Sequence, residues 1–197
     1  ARAGLAGMRS MRDGIIIRPF LSTVKSGLLA YLADKKIPSA VDSSNAARDY
    51  LRNRIRLDLL PFLRTFNPNI DETLRRTAMI LQDEETVLAR LTEQAWGKVV
   101  ALEEGGEGRE PALFFDLVLF LDLDLALQRR IAEKVFIVLG NRPDYSKIAG
   151  ILDVARSGEG GARLHFSQGL RMKKDGKRLC FFYPQGKGGR RGNLEEV

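Results

Sequence analysis

The sequence is poor in the side chains from which most catalytic centres are built. Among its 197 residues there is one cysteine, Cys180, and one histidine, His165. A single thiol excludes an internal disulfide framework. One thiol beside one imidazole leaves a Cys/His zinc cluster or a Ser-His-Asp triad with little to be made from. No apolar run approaches the ~20 residues of a membrane span. The opening Ala1-Arg2-Ala3-Gly4-Leu5 has no signal-peptide pattern. No membrane partner is expected, and the cytoplasm is the default compartment.

What is present is an ordinary globular composition, 44% hydrophobic and 29% charged, enough for one or two domains. The net charge of +7 is unevenly spread. Residues 1–66 carry 12 basic and 5 acidic side chains, residues 67–155 carry 10 and 16, and residues 156–197 carry 10 and 4. Phosphate neutralisation dominates nucleic-acid affinity, so the two basic ends are the candidates for a polyanion and the acidic middle reads as scaffold.

Ala1 to Met8 is Gly-rich, lacks an initiator methionine, and reads as the edge of a larger protein. Ile15-Ile16-Ile17, closed by Arg18-Pro19, predicts a short strand buried on both faces. Ser22 is the expected N-cap of a helix over 23–36, with Val24, Leu28, Leu29 and Leu32 on one face and Ile37-Pro38 beyond it. The Asp42-Ser43-Ser44-Asn45 turn then opens a helix expected to stop or kink near Pro61. Asn67-Pro68-Asn69 marks a boundary. From Ile70 the apolar steps through Leu74, Ala78, Leu81, Leu88, Leu91, Ala95, Val99 and Leu102 predict one long amphipathic helix, with Glu85 marking a bend. Its acidic start, Asp71-Glu72, suits the positive end of the helix dipole.

After a polar loop at Glu103 to Gly108, a helix over 122–139 carries Leu127, Ile131, Val135 and Leu139 and ends at Gly140. Ser146 is the expected cap of a third helix, with Ile148, Ile151, Leu152 and Ala155 inside. Short connections predict a small antiparallel bundle. The period then changes. Leu164-His165-Phe166, Leu170-Arg171-Met172 and Leu179 to Tyr183 read as strands, with Asp175-Gly176 a hairpin turn. Gln185 to Val197 reads as a flexible tail.

Arg52, Arg54 and Arg56 are the densest run of guanidiniums on any predicted helix. Arg52 and Arg56 are four apart and share a face, leaving Ile55, Leu59 and Leu60 to point at a core. Guanidinium forks fit phosphates, although a solvated basic helix has the same composition. Arg75-Arg76 and Arg129-Arg130 with Lys134 lie on helix surfaces in acidic surroundings. His165, Trp96 and Cys180 read as packing residues. Lys173, Lys174, Lys177 and Arg178 surround the hairpin tip, fitting solubility or phosphate contact equally.

Gly4-Leu5-Ala6-Gly7-Met8, Ile17-Arg18-Pro19-Phe20-Leu21, Asp42-Ser43-Ser44-Asn45, Tyr50-Leu51-Arg52-Asn53-Arg54-Ile55-Arg56 and Leu59-Leu60-Pro61 together resemble the tRNA(Ile)-lysidine synthase family, of the PP-loop ATP pyrophosphatase superfamily. The likeness is strong to about residue 80 and mainly architectural afterwards. It implies an enzyme that adenylates C2 of the wobble cytidine (position 34) of an isoleucine tRNA with ATP, before the amine of free lysine displaces AMP. The family's Ser-Gly-Gly-x-Asp-Ser loop and His-x-x-Asp-Asp motif are absent from these residues, so the chain by itself is expected to be inactive. Ser157-Gly158-Glu159-Gly160-Gly161 follows a helix and has no Asp-Ser after it, which makes it a turn and not a phosphate loop.

The resemblance implies a mainly α chain with a small β element, a helical bundle followed by a β-hairpin, preceded by a remnant of an α/β nucleotide-binding domain. The expected divisions are 1–66 for that catalytic remnant, 67–156 for a helical tRNA-recognition domain, 157–184 for the strand and hairpin segment, and 185–197 for the tail. Arg52 takes the catalytic role. Arg52, Asn53, Arg54, Arg56, Arg75, Arg76, Arg129, Arg130 and Lys134 are the candidate tRNA contacts, while Asp42 and Asn45 form the turn. The implied partners are tRNA(Ile) with a CAU anticodon, free lysine and ATP, with Mg in the parent enzyme, no cofactor or metal held by this chain, and a homodimer left open. A thiolating PP-loop enzyme is disfavoured because only Cys180 is available. A stand-alone helical RNA-binding or protein-interaction module is the alternative.

Overall fold

The computed structural model describes residues 5–12, 14–40, 47–103, 112–157 and 160–184. The Asp42 to Asn45 turn, the loop from Glu104 to Gly108, Gly158, Glu159 and the tail from Gln185 lie outside the described residues. The chain divides into two compact units, residues 1–85 and 86–197.

In the first unit, Met11–Arg12 (β1) and Ile16–Ile17 (β2) pair antiparallel, with Met11 opposite Ile17. The isoleucine run does form a strand, but not a buried one: Ile15, Ile16 and Ile17 are 82%, 46% and 66% exposed. β-branched side chains favour extended backbone locally, whereas burial requires layers on both sides. Helix α1, Lys25–Asp34, is preceded by extended Val24 with no side-chain cap, so Ser22 is not its N-cap. It ends before Ile37-Pro38, where Lys36 adopts a φ of 52°.

A continuous helical run, α2, follows as Leu51–Arg54, a π-helical turn at Ile55–Leu59, and Leu60–Phe66. Pro61 therefore neither stops nor ends this helix. In an α-helix its ring would meet the Leu57 carbonyl and its missing N–H would leave that carbonyl unbonded. The π turn widens the helix at that place. Asn67 ends the run, and its Oδ1 accepts from the Asn69 backbone N–H at 3.0 Å in an Asx turn. Helix α3, Ile70–Val99, starts there.

The second unit builds a core that helices and sheet share. Helix α3 ends at Val99, and Val100–Glu103 (β3) is a strand, so Leu102 belongs to a sheet and not to the helix stripe. β3 pairs with Ala112–Asp116 (β4), which pairs with Arg178–Phe182 (β7), then Arg171–Asp175 (β6) and Arg163–His165 (β5). The expected hairpin is thus the centre of a five-stranded antiparallel sheet in the order β3-β4-β7-β6-β5. Its turn matches the sequence: Gly176, with a φ of 55°, takes the first of two central positions, where a type II′ turn requires glycine.

Helices α4 (Leu117–Leu121), α5 (Leu125–Val138) and α6 (Tyr145–Ser157) complete this unit. Asp116 caps α4, accepting from Val118 N at 2.9 Å and Leu119 N at 3.1 Å. Gly140 closes α5 as expected, in a Schellman motif: its N–H bonds the Ile137 carbonyl and the Asn141 N–H bonds that of Phe136. The cap of α6 is Asp144, not Ser146. Its Oδ1 accepts from the Ser146 hydroxyl at 2.6 Å and from Lys147 N at 2.9 Å. Those bonds hold its carboxyl down to about 2. Inward residues from every layer, among them Phe115, Phe120, Phe136, Ile151, Met172 and Phe181, are completely buried.

Candidate nucleic-acid interface

The sequence between the Asp42 turn and Pro61 builds the most basic stretch of helix in the first unit. Arg52, Arg54 and Arg56 are exposed, and Asn53 between them is 2% exposed. The Asn53 amide donates to the Ala47 carbonyl at 2.8 Å, fastening the chain that leads into α2 to the first turn of the helix. A second fastening spans more of it. Arg48 Nε donates to both oxygens of Asp58, at 3.0 and 3.3 Å, joining the entrance segment to the π turn. The Arg52 guanidinium lies 5.8 Å from the centre of the Tyr50 ring, a cation–π arrangement that limits where the side chain can go.

The expected facing of α2 needs revision. Arg52 and Arg56 lie on either side of the change from α to π winding, and i→i+5 bonding means that residues four apart no longer stack as they do in an α-helix. Ile55 and Leu59 are 40% and 47% exposed and do not face a core. The helix exposes arginines and aliphatic side chains alike.

Arg75 and Arg76 follow on α3 in the same unit and converge on one carboxylate. Arg75 donates to Glu72 through Nε at 2.8 Å and Nη2 at 2.7 Å, while Arg76 reaches it at 3.8 Å. Arg75 holds the Glu72 carboxyl below its usual range. Arg64 and Asp71 pair across the Asn67 turn at 2.6 and 3.1 Å. That contact lowers the Asp71 carboxyl and raises the Arg64 guanidinium.

The remaining candidates lie on α5 in the second unit. Arg129 is exposed, but Arg130 is 7% exposed. Lys134 donates to Glu93 and lies 4.6 Å from the centre of the buried Trp96 ring. The expected tip cluster also divides. Strand alternation turns Lys174 inward to 4% exposure, where Nζ donates to the last-turn carbonyls of Val154 and Ala155 in α6. A cation there complements the negative end of the helix dipole. The same alternation exposes His165, which is not a packing residue, while Trp96 is one.

Sequence reasoning missed Arg48, Asp58 and Tyr50 as the groups that hold α2: Arg48 and Asp58 are 10 residues apart, and a ring two residues before an arginine is no helical pattern. It also missed Gln82, whose amide donates to the Ala6 carbonyl at 2.6 Å and the Met8 carbonyl at 3.2 Å. No local pattern announces a contact over that separation. Of the Ser157 to Gly161 segment, Gly158 and Glu159 lie outside the described residues, and Ser157 ends α6, where carbonyls repel phosphate.

Residues 1–63, which include the paired strands, α1 and most of α2, match the model of the PP-loop domain family. The chain belongs to the tRNA(Ile)-lysidine synthase family. It is 36% identical to tRNA(Ile)-lysidine synthase of Gloeobacter violaceus over 156 residues, which is 76% of this chain and 45% of that one. It is 35% identical to the Symbiobacterium thermophilum enzyme of the same name over 176 residues, 86% of this chain and 36% of the relative. The Bacillus subtilis protein of that name is 31% identical over 189 residues, 92% of this chain and 39% of the relative. The chain thus spans less than half the length of these relatives.

Proposed function

We propose that this chain is part of an ATP-dependent ligase that attaches lysine to C2 of the wobble cytidine (position 34) in tRNA(Ile), and that it supplies RNA recognition and one catalytic arginine and not the complete reaction. The observation that carries this reading is α2: three exposed arginines on a helix fastened at Asn53 and Asp58, inside the stretch that matches the PP-loop domain. In the reaction, the carbonyl oxygen on C2 attacks the α-phosphorus of ATP and pyrophosphate leaves. The lysine amine then adds at C2 and AMP leaves. In this reading the chain's own part is to hold the RNA and the negative charge beside it.

Arg52 is the catalytic group in this reading. Its guanidinium, restrained by Tyr50, is a fixed cation facing the charge that develops where adenylate forms and departs. Arg54 and Arg56 bind the tRNA backbone. Asn53 has its amide committed to Ala47 and acts as a brace that orients Arg52. Arg75 and Arg76 share a carboxylate and Lys134 is tied to Glu93, which makes them weaker tRNA contacts than the α2 arginines. Residues 1–66 belong with catalysis and residues 67–156 with tRNA recognition.

The test is lysine incorporation into CAU-anticodon tRNA(Ile), dependent on ATP, by the protein at its natural length. Arg52→Ala is expected to lower kcat by about a hundredfold to a thousandfold, the usual loss for a fixed group that stabilises transition-state charge. Unchanged turnover in that variant removes Arg52 from the active site.

A further inference from the structure

The outward face of the second unit's sheet combines cations and aromatic rings in a way that the proposed function does not use. Register fixes which residues share that face. Arg163 is opposite Lys173 and Lys173 is opposite Cys180, which is opposite Phe114; Arg171 is opposite Phe182, and Arg178 is opposite Asp116. The alternate residues Met172, Lys174, Leu179, Phe181, Leu113 and Phe115 point the other way and are buried. Arg163 and Arg178 are exposed, and Arg171, Lys173, Phe114 and Phe182 are half-buried.

Two features set this face apart from an ordinary solvated one. Arg163 and Lys173 are directly opposite each other, and like charges in that position destabilise a sheet. The Arg178 guanidinium lies 5.7 Å from the centre of the Phe114 ring, so a cation and a π-face already share one platform. The carboxylates beside them are engaged: Asp175 accepts from Lys173 at 3.0 Å and Asp116 caps α4. Glu103 sits in register at the far edge, opposite Ala112. The β5-β6-β7 half of the face is therefore strongly cationic.

We infer that this sheet face is an RNA-binding surface for an unpaired segment, with phosphates on Arg163, Arg171 and Lys173 and a base against Phe114 or Phe182. An antiparallel sheet that presents aromatic rings among cations suits splayed bases, because every base has a π-face and every nucleotide a charge. An anion over Arg163 and Lys173 also removes their mutual repulsion. The surface stands on its own geometry, and only the identity of the RNA as a tRNA rests on the proposed function.

The test compares the 197-residue chain, the triple variant Arg163→Gln/Arg171→Gln/Lys173→Gln, and Arg52→Ala, each titrated with oligouridine and with tRNA(Ile) at several salt concentrations. The triple variant is expected to bind both RNAs at least about tenfold more weakly, with the salt slope reduced by about 2. Its Tm should stay within a few degrees of wild type, since a like-charge pair and the exposed Lys173–Asp175 ion pair are removed together, which separates lost binding from lost folding. Phe114→Leu is expected to weaken oligouridine binding with the salt slope unchanged. Unaltered affinity and slope in the triple variant overturn the sheet surface, while tRNA binding that falls only in Arg52→Ala leaves the proposed function standing. Wild-type chain that binds oligouridine through the sheet but ignores tRNA(Ile) at low salt overturns the proposed function instead. Polyglutamate competing as well as oligouridine assigns the face to an acidic protein and overturns the RNA reading.

Discussion

The two units differ in what holds them. Among the described residues, all 19 buried hydrophobic side chains, from Ala95 to Phe181, lie in residues 86–197, most of them on four helices and three strands. Among the described residues of the first unit, Asn53 is the one buried residue, and it is polar. Ile15, Ile17, Phe20, Val24, Phe62 and Phe66 are all more than half exposed there. One unit spends its apolar surface on itself. The other has local structure held by hydrogen bonds and ion pairs, such as Asn53 to Ala47, Arg48 to Asp58 and Arg64 to Asp71. Most helical stability in proteins comes from packing an amphipathic face, so the first unit's helices stand with the least of that support.

The contrast gives two mutational expectations of very different size. Phe115 is completely buried and meets Phe120 and Phe181 with ring centres 4.9 and 5.0 Å away. Phe115→Ala should lower the stability of the second unit by about 3–5 kcal/mol, through lost transfer energy and the cavity left behind. Chemical denaturation followed by Trp96 fluorescence reads it, because Trp96 is the single tryptophan and belongs to that core. A shift in that transition of under about 1 kcal/mol would mean that the core is looser than its burial implies. At the other extreme, Ile16→Ala in β2 should move the same transition by no more than about 0.5 kcal/mol, as for other exposed positions. A loss as large as that of Phe115→Ala would show that Ile16 is packed in solution and would break the contrast.

What could be read from the sequence follows the same division. Elements set by local chemistry were legible: the helix from Ile70, its acidic first turn, the stop at Gly140 and the turn at Asp175-Gly176. Strands β3 and β4 were not. Val99 and Leu102 continue the helical spacing of Leu91 and Ala95, and only pairing with Ala112–Asp116 pulls Val100–Glu103 into a sheet. Non-local pairing of this kind overrides periodicity. Lys174 was misread because a charge beside a hairpin tip looks solvated, whereas the two-residue period of β6 turns it toward the end of α6. On α2 the arginines were evident, but the π turn that alters their spacing is set by Pro61 acting on the preceding turn, and Asn53 gave no sign that it is a brace.

The proposed function rests on the exposed arginines of the first unit. Titration of the 197-residue chain with CAU-anticodon tRNA(Ile) over a range of salt tests this most directly. If Arg52, Arg54 and Arg56 and the three sheet cations neutralise phosphates, affinity should fall about a thousandfold between about 0.05 and about 0.2 M salt. No detectable binding at the low-salt end would contradict it.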